Sequence, residues 1–366
     1  MIQPTSSYLN DVYFGWGRLA DVASLAAQYG MQGPLLVTDT TMVGLGAVAR
    51  AGLDTEPVFD RVAESSVLEA AEQYGAEDCD GLVAIGGGSP IDLAKGVALA
   101  VRHEGPLSRY AILEGGPQSI QNPLPPIIAV PSTAGSGSEV GRAALITVNS
   151  GRKLGFLSPK LLPVAAVCDP EFSDSMPATL AAATGMDAIS HCIEAILSPR
   201  ENPVVESMAL QGLRVGARAI TRVCDVSVSK DDRAAMMWCS LYGGLAFQKG
   251  LGVVHSLSHP LGRHSSRKLH HGTLNALFLP AVLRFNAPEC ADKLSLIASA
   301  VGGADPIRFF GDLLDRLQLP RKLAELGVTD AELVSSAPLA EADHCTGTNP
   351  RSFTERGALA LYRECL

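Results

Sequence analysis

"DGLVAIGGGSPIDLAKGVALAV", residues 80–101, changes character half-way along. Residues 82–85 are a short apolar run of the kind that fills a strand buried on both faces. From about 90 to 101 the apolar residues recur at helical spacing. Gly86, Gly87 and Gly88 turn the chain between the two, Ser89 suits the helix cap and Pro90 its first position. Strand, glycine turn and helix in that order make most of a parallel βαβ unit.

The same alternation continues on either side. "GPLLVTDTT" (33–41) reads as a strand ending at Asp39, "PPIIAVPSTAGSGSEV" (125–140) as a strand over 126–130 followed by a hydroxyl- and glycine-rich turn, and "PVAAVCDPEF" (163–172) as a strand near 164–168. The mixed stretch 141–158 has the composition of a hairpin. After Pro170 the pattern becomes helical. Residues 176–197, 204–220, 231–248, 273–286 and 291–302 all carry helical periodicity, with Gly and Pro mainly between them. These patterns predict an α/β domain over 1–175 and an all-helical domain over 176–366, with the boundary near 174–178.

Composition narrows the classes. The chain has 366 residues, 47% hydrophobic and 18% charged, which suffices for a large core in two domains. A net charge of −9 argues against a nucleic-acid surface. The start, "MIQPTSSYLNDVYFGWG", lacks the basic and apolar regions of a secretory signal, and no run of about 18 apolar residues suggests a membrane span. Eight scattered cysteines without a C-x-x-C pair fit reduced thiols in a cytoplasmic protein.

The glycine turn also carries chemistry. Glycines let backbone N–H groups approach a phosphate, and the helix behind them adds the positive end of its dipole. The stretch lacks the G-x-G-x-x-G fingerprint and the Gly-Lys-Ser/Thr of a Walker loop, so a plain tight turn explains it equally well. Asp39 can accept hydrogen bonds from ribose hydroxyls and repel a 2′-phosphate, favouring NAD over NADP. It also fits an Asx turn. Ser132 and Thr133 fall at the carboxyl end of a strand, where ligands bind in open α/β sheets.

The helical half holds two pairs at i,i+4 spacing. Asp187 and His191 share a face in "GMDAISHCIEA" (185–195), as do His255 and His259 if "HSLSHPLG" (255–262) is helical. His270 and His271 follow and precede Gly272. One carboxylate and several imidazoles suit Fe2+ or Zn2+, which would act as a Lewis acid toward a substrate oxygen. Each residue alone also fits a hydrogen-bonded core position; their joint occurrence points to a metal.

"GGGSPIDLAK", "PSTAGSGSEV", "ATGMDAISHCIEA", "HSLSHPLG", "HHGTLNA" and "TNPR" (348–351) occur in one order across nearly the whole chain, and in that order they resemble the iron-containing (group III) alcohol dehydrogenases. "FGWG" (14–17) looks like that family's first strand and turn. The resemblance implies a Rossmann-like α/β domain, a helical domain, and an active site in the cleft between them. It implies Fe2+, or sometimes Zn2+, bound by Asp187, His191, His255 and the histidine before glycine, which is His271 here; the neighbouring His270 remains the alternative. His259 matches a histidine near the substrate, and it is the candidate to relay the alcohol proton. Asp39, Gly86, Gly87, Gly88, Ser89, Ser132, Thr133 and Lys153 match cofactor-contacting positions. Where the family carries Asn-Pro-Thr this chain has "ESSV" (64–67), so Ser65 stands at the contact.

The activity so implied is hydride transfer between NAD(H) and an alcohol or aldehyde, in a homodimer or larger homo-oligomer acting on a small molecule. A basic stretch, with Arg263, Arg267 and Lys268, raises the further expectation of an anionic hydroxy acid or semialdehyde. Dehydroquinate synthase-like lyases and maleylacetate- or glycerol-type reductases use the same scaffold and are the alternatives.

Overall fold

The computed structural model describes residues 10–53, 62–225, 228–262 and 269–366. The chain forms two compact units. One holds the described residues up to Thr133 plus Ser138–Asp174; the other holds Ala134–Gly137 and Ser175–Leu366.

The first unit is built on five parallel strands: β1 (Asp11–Phe14), β2 (Pro34–Val37), β3 (Gly81–Gly86), β4 (Ile127–Pro131) and β7 (Ala165–Cys168), in the order β1-β7-β4-β3-β2. Between β4 and β7, β5 (Ala143–Thr147) and β6 (Lys153–Leu157) pair antiparallel, the hairpin expected in 141–158. Alternate strand residues enter opposite cores. Leu35, Val37, Leu82, Ala84, Ile127 and Ala129 pack on one face of the sheet, and Leu36, Val83, Ile85, Ile128, Val130 and Val167 on the other. With both faces covered, the strands are continuous apolar runs, as parallel sheets require. Helices α1 (Glu64–Ala76) and α2 (Gly88–Ala100) lead into β3 and out of it. The structure departs from the sequence reading at the start of α2. The helix begins at Gly88, Gly87 flanks it, and no side chain caps it. Ser89 is thus inside the first turn, because the glycines accept the helical turn earlier than a serine cap would start it.

The second unit is helical. The helices that matter to the site are α3 (Ala178–Leu197), α4 (Pro203–Ala219), α5 (Lys230–Ala246), α6 (Val253–Leu261) and α7 (His271–Asn286). α3 is buried continuously from Ala182 to Leu197, with α4, α5 and α7 packed on it. By length and composition it could cross a membrane, yet 83% of its apolar window is buried within the protein. It stops at Ser198, whose backbone is extended ahead of Pro199. The Lys293 ammonium donates to the carbonyls of Ile196 (2.7 Å) and Ser198 (3.0 Å), placing a cation on the negative end of the helix dipole.

A buried polar knot ties α2 to the chain after β4. Lys95 Nζ, fully buried, donates to the carbonyls of Ser138 (2.7 Å), Gly141 (2.9 Å) and Ala143 (2.8 Å). Asp92 accepts from Ser138 Oγ (2.6 Å) and the Leu145 N–H (2.9 Å). Burial lowers the Lys95 ammonium to about 8 against the pull of Asp92 and Glu139. Burial also raises the nearby Glu139 carboxyl from 4.5 to about 7, and its Oε2 has no hydrogen-bond partner. A carboxyl raised on folding holds a proton that the unfolded chain has released. Its contribution to stability is therefore complete below about pH 4.5 and lost as pH rises through 7. Glu139→Gln is expected to gain about 2 kcal/mol over wild type between pH 5 and pH 8. Urea unfolding at the two pH values measures the gain; an equal difference at both would show that Glu139 ionises normally.

Candidate active site

In the helical unit, three helices that each carry an i,i+4 pair of polar residues converge around Asp187. α3 carries Asp187 and His191, α6 carries His255 and His259, and α7 carries His271 and Asn275. The nearest imidazole nitrogens of His191, His255 and His271 lie 3.7, 3.6 and 3.6 Å from Asp187 Oδ1. Asp187, His191 and His255 are buried, and the His271 side chain is 33% exposed, so the cluster has one open side. His270 is the exposed residue preceding α7, and it is His271 that reaches Asp187.

The helices can meet because of Gly272. A Cβ there would lie 2.1 Å from the Ala183 carbonyl oxygen and 3.2 Å from Asp187 Cβ, so only glycine lets the start of α7 touch α3.

Residues around the cluster fix which ring nitrogens face inward. His255 Nδ1 donates to Glu194 Oε2 (2.5 Å), and Glu194 Oε1 accepts from the Val254 N–H (2.7 Å). Ser258 Oγ donates to the His255 carbonyl (3.1 Å) and so accepts from His271 Nδ1 (3.3 Å). Both rings thus direct Nε2 to the centre. Asn275 Nδ2 sits at that focus, 2.7 Å from Asp187 Oδ1, 3.2 Å from His255 Nε2 and 3.1 Å from His271 Nε2, while its Oδ1 is buried without a partner.

The arrangement attracts positive charge. Burial alone would raise the Asp187 carboxyl, but His191, His271 and His255 hold it far below its ordinary range. Burial alone would lower His255, but Glu194 and Asp187 raise it to about 9. Burial takes His191 down to about 4 despite Asp187. The donors fit a divalent ion. One carboxylate and three imidazoles are a borderline-hard set; ligands about 2.1 Å from a tetrahedral ion stand about 3.4 Å apart, close to the 3.6–3.7 Å from Asp187 to each imidazole, and the ligand atoms of Asp187, His191 and His255 all lie within 4.8 Å of one another.

His259 is placed differently. Its Nδ1 donates to Asp343 Oδ2 (2.9 Å), and Asp343 Oδ1 accepts from the Cys345 N–H (2.9 Å). The His259 Nε2 is left to exchange a proton. The Asp343 carboxyl, which burial would raise, is held well below its usual value by His259 and His344.

The cofactor candidates lie in the α/β unit, most of them at the carboxyl edge of the sheet. Asp39 follows β2, accepts from the Met42 N–H (3.0 Å), and its Oδ2 would be 3.1 Å from a Cβ on Gly86. Gly86 has φ +151°, and that Cβ would also meet Pro90 at 2.6 Å, so the position requires glycine. The Ser132 N–H donates to the Gly86 carbonyl (2.8 Å), and Thr133 Oγ1 lies 3.5 Å from where a Gly87 Cβ would stand. Ser89 is exposed within the first turn of α2. Ser65 and Lys153 belong to a different spot. Ser65 is exposed in the first turn of α1, and Lys153 pairs with Thr147, which bridges to Ala63 just before α1. Arg263, Arg267 and Lys268 lie outside the described residues.

Five residues in or beside the site escaped the sequence reading. Glu194 had a signal, since it stands three residues after His191 on the same buried face of α3. Asn275, four residues after His271, and Ser258, three after His255, had a signal of the same kind, whereas Asp343 and His344 had none.

A parallel α/β sheet with a glycine turn at its carboxyl edge, joined in one chain to a helical unit with a carboxylate–imidazole cage, fits the class of nicotinamide- and metal-dependent enzymes, and comparison with known families narrows it to dehydrogenases. Residues 10–170 match the model "Iron-containing alcohol dehydrogenase", and residues 181–366 match "Fe-containing alcohol dehydrogenase family, C-terminal". The chain belongs to the iron-containing alcohol dehydrogenase family. It is 46% identical over 378 residues to 4-hydroxybutyrate dehydrogenase of Cupriavidus necator, covering 98% of each chain. It is 31% identical to the NAD-dependent methanol dehydrogenase of Bacillus methanolicus, over 96% of this chain and 97% of that one. The crystal structure of a 1,3-propanediol oxidoreductase superposes with a TM-score of 0.91 at 32% identity, covering 99% of this chain and 100% of that one. The protein is thus a metal-dependent oxidoreductase that moves a hydride between a nicotinamide cofactor and an alcohol or aldehyde, and the lyase alternative is not favoured.

Gly272→Ala is expected to force α7 away from α3, destabilising the protein by about 1–3 kcal/mol and lowering bound iron. Thermal melts and iron analysis after anaerobic loading test this; wild-type iron content in the variant would contradict the close approach.

Proposed function

We propose that this enzyme oxidises a short ω-hydroxy acid, 4-hydroxybutyrate, to the corresponding semialdehyde with NAD, at Fe2+ held by Asp187, His191, His255 and His271. The observation that carries the metal site is the convergence of three imidazole nitrogens from three helices on a buried carboxylate oxygen. The substrate reading is supported by 46% identity to 4-hydroxybutyrate dehydrogenase along essentially the full length of both chains.

When bound, the ion supplies Lewis acidity toward a hydroxyl oxygen and the nicotinamide accepts the hydride. The chain's own residues do the rest. Glu194 and Ser258 orient two of the imidazoles toward the donor cage. His259, with Nδ1–H committed to Asp343, takes the alcohol proton at Nε2. The run Gly86–Ser89, opening α2, offers backbone N–H groups and a helix amino terminus to a pyrophosphate. Asp39 beside it favours the unphosphorylated ribose of NAD. Ser132 and Thr133 border the same loop, and Ser65 and Lys153 are proposed as peripheral cofactor contacts. Eight unpaired cysteines support a reducing, cytoplasmic setting.

After anaerobic loading with Fe2+ or Zn2+, NADH formation on 4-hydroxybutyrate, 1,4-butanediol, 1-butanol and methanol tests the reading. The highest kcat/KM is expected with Fe2+ and the hydroxy acid; equal rates on the acid and the diol would defeat the substrate claim. His259→Ala is expected to keep its iron and lose about 100-fold in kcat. Loss of iron instead would make His259 a ligand.

A further inference from the structure

His344 adjoins the metal cluster, yet neither the cage nor the proton path uses it. Its ring stacks on His259 at 5.6 Å and 12°, and His259 in turn stacks on His271 at 5.3 Å and 10°. Three nearly parallel imidazoles are thus linked through His259, with His271 of the donor cage at one end and His344 at the other. The middle side chain is 8% exposed, while the two flanking ones keep 33% and 36%, so both ends of the stack reach open space.

We infer that His344 binds the carboxylate of the substrate and so selects ω-hydroxy acids over neutral alcohols. This rests on the hydroxy-acid reading above. A chain anchored by its hydroxyl at the cage carries its other end away from His271. The far ring of the stack is at most about 11 Å from the near one, centre to centre. An anion entering here meets the Asp343 carboxylate, which disfavours it, whereas a diol pays no such penalty. A hydroxy-acid enzyme therefore needs an N–H donor at the outer end of the path. His344 has the chemistry. Its Nδ1 lies 3.5 Å from Asp343 Oδ1, an ion-pair geometry that favours the doubly protonated ring, in which Nε2 also carries an N–H, and that Nε2 lies 3.5 Å from Cys345 Sγ, a weaker acceptor than a carboxylate. Asp343 thereby serves both rings, holding His259 with one oxygen and facing His344 with the other.

The test compares kcat/KM for 4-hydroxybutyrate and 1,4-butanediol in the iron-loaded enzyme and in two variants. His344→Phe keeps an aromatic ring on His259 and removes both N–H groups; His344→Gln restores a donor. The acid-to-diol ratio is expected to fall about 10–100-fold in His344→Phe, mainly through KM for the acid, and to recover most of that in His344→Gln. Thermal stabilisation by 4-hydroxybutyrate, relative to the diol, should follow the same order. An unchanged ratio in His344→Phe, or an equal loss on both substrates that His344→Gln does not reverse, overturns the assignment and leaves His344 a packing residue. A wild-type enzyme without preference for the acid overturns the hydroxy-acid reading itself, whatever the variants do.

Discussion

The helical unit depends on one electrostatic constraint, a carboxylate kept ionised inside a helix core. Asp187 is nearly inaccessible to water, and burial penalises its charge. Three imidazoles within 3.7 Å and the Asn275 amide offset that penalty. The same groups make the centre a place where a divalent cation is more favourable than protons alone. α3 must be rigid and buried to hold Asp187 there, α7 must begin with glycine close to α3, and α6 must present His255 with its outer nitrogen held by Glu194. The polar residues in this apolar core are thus mutually required, and removing one leaves the others under-satisfied.

The α/β unit answers a different requirement. The sheet ends β3 in a glycine with φ +151°, where a Cβ would meet Pro90 at 2.6 Å and Asp39 at 3.1 Å, so the turn into α2 can close only around glycine. Lys95 and Asp92 hold the chain after β4 against the helix that starts at this loop. The buried knot and the half-buried glycine turn thus lie on the same helix.

Some of this could be read directly from residue order. The strand–glycine–helix passage at 80–101 and the switch to helical periodicity near 174–178 have local causes, so they are visible locally. So are the i,i+4 pairs, because a helix imposes that spacing whatever surrounds it. The start of α2 at Gly88 was misplaced because a serine followed by proline is a strong local cap signal. Here the glycines before it adopted the helical turn without a side-chain cap. Glu194 was legible in principle, as the next polar residue on the same face of α3.

The sequence by itself determined the element types, the parallel sheet, the family and the set of residues able to bind a metal or a phosphate. Only the tertiary structure decided which of them meet. Asp187 and His271 are 84 residues apart, and no spacing rule brings their helices together. That follows from Gly272 touching the Ala183 carbonyl. His271 rather than His270 faces the cage because His271 opens α7, whose start the contact at Gly272 seats against α3, while His270 before it has an extended backbone and is exposed. Asp343 and His344, remote in sequence from every other member of the site, enter it because the return of the chain lays them against α6. Local chemistry is encoded by residue type and period, whereas convergence requires the packing of whole helices.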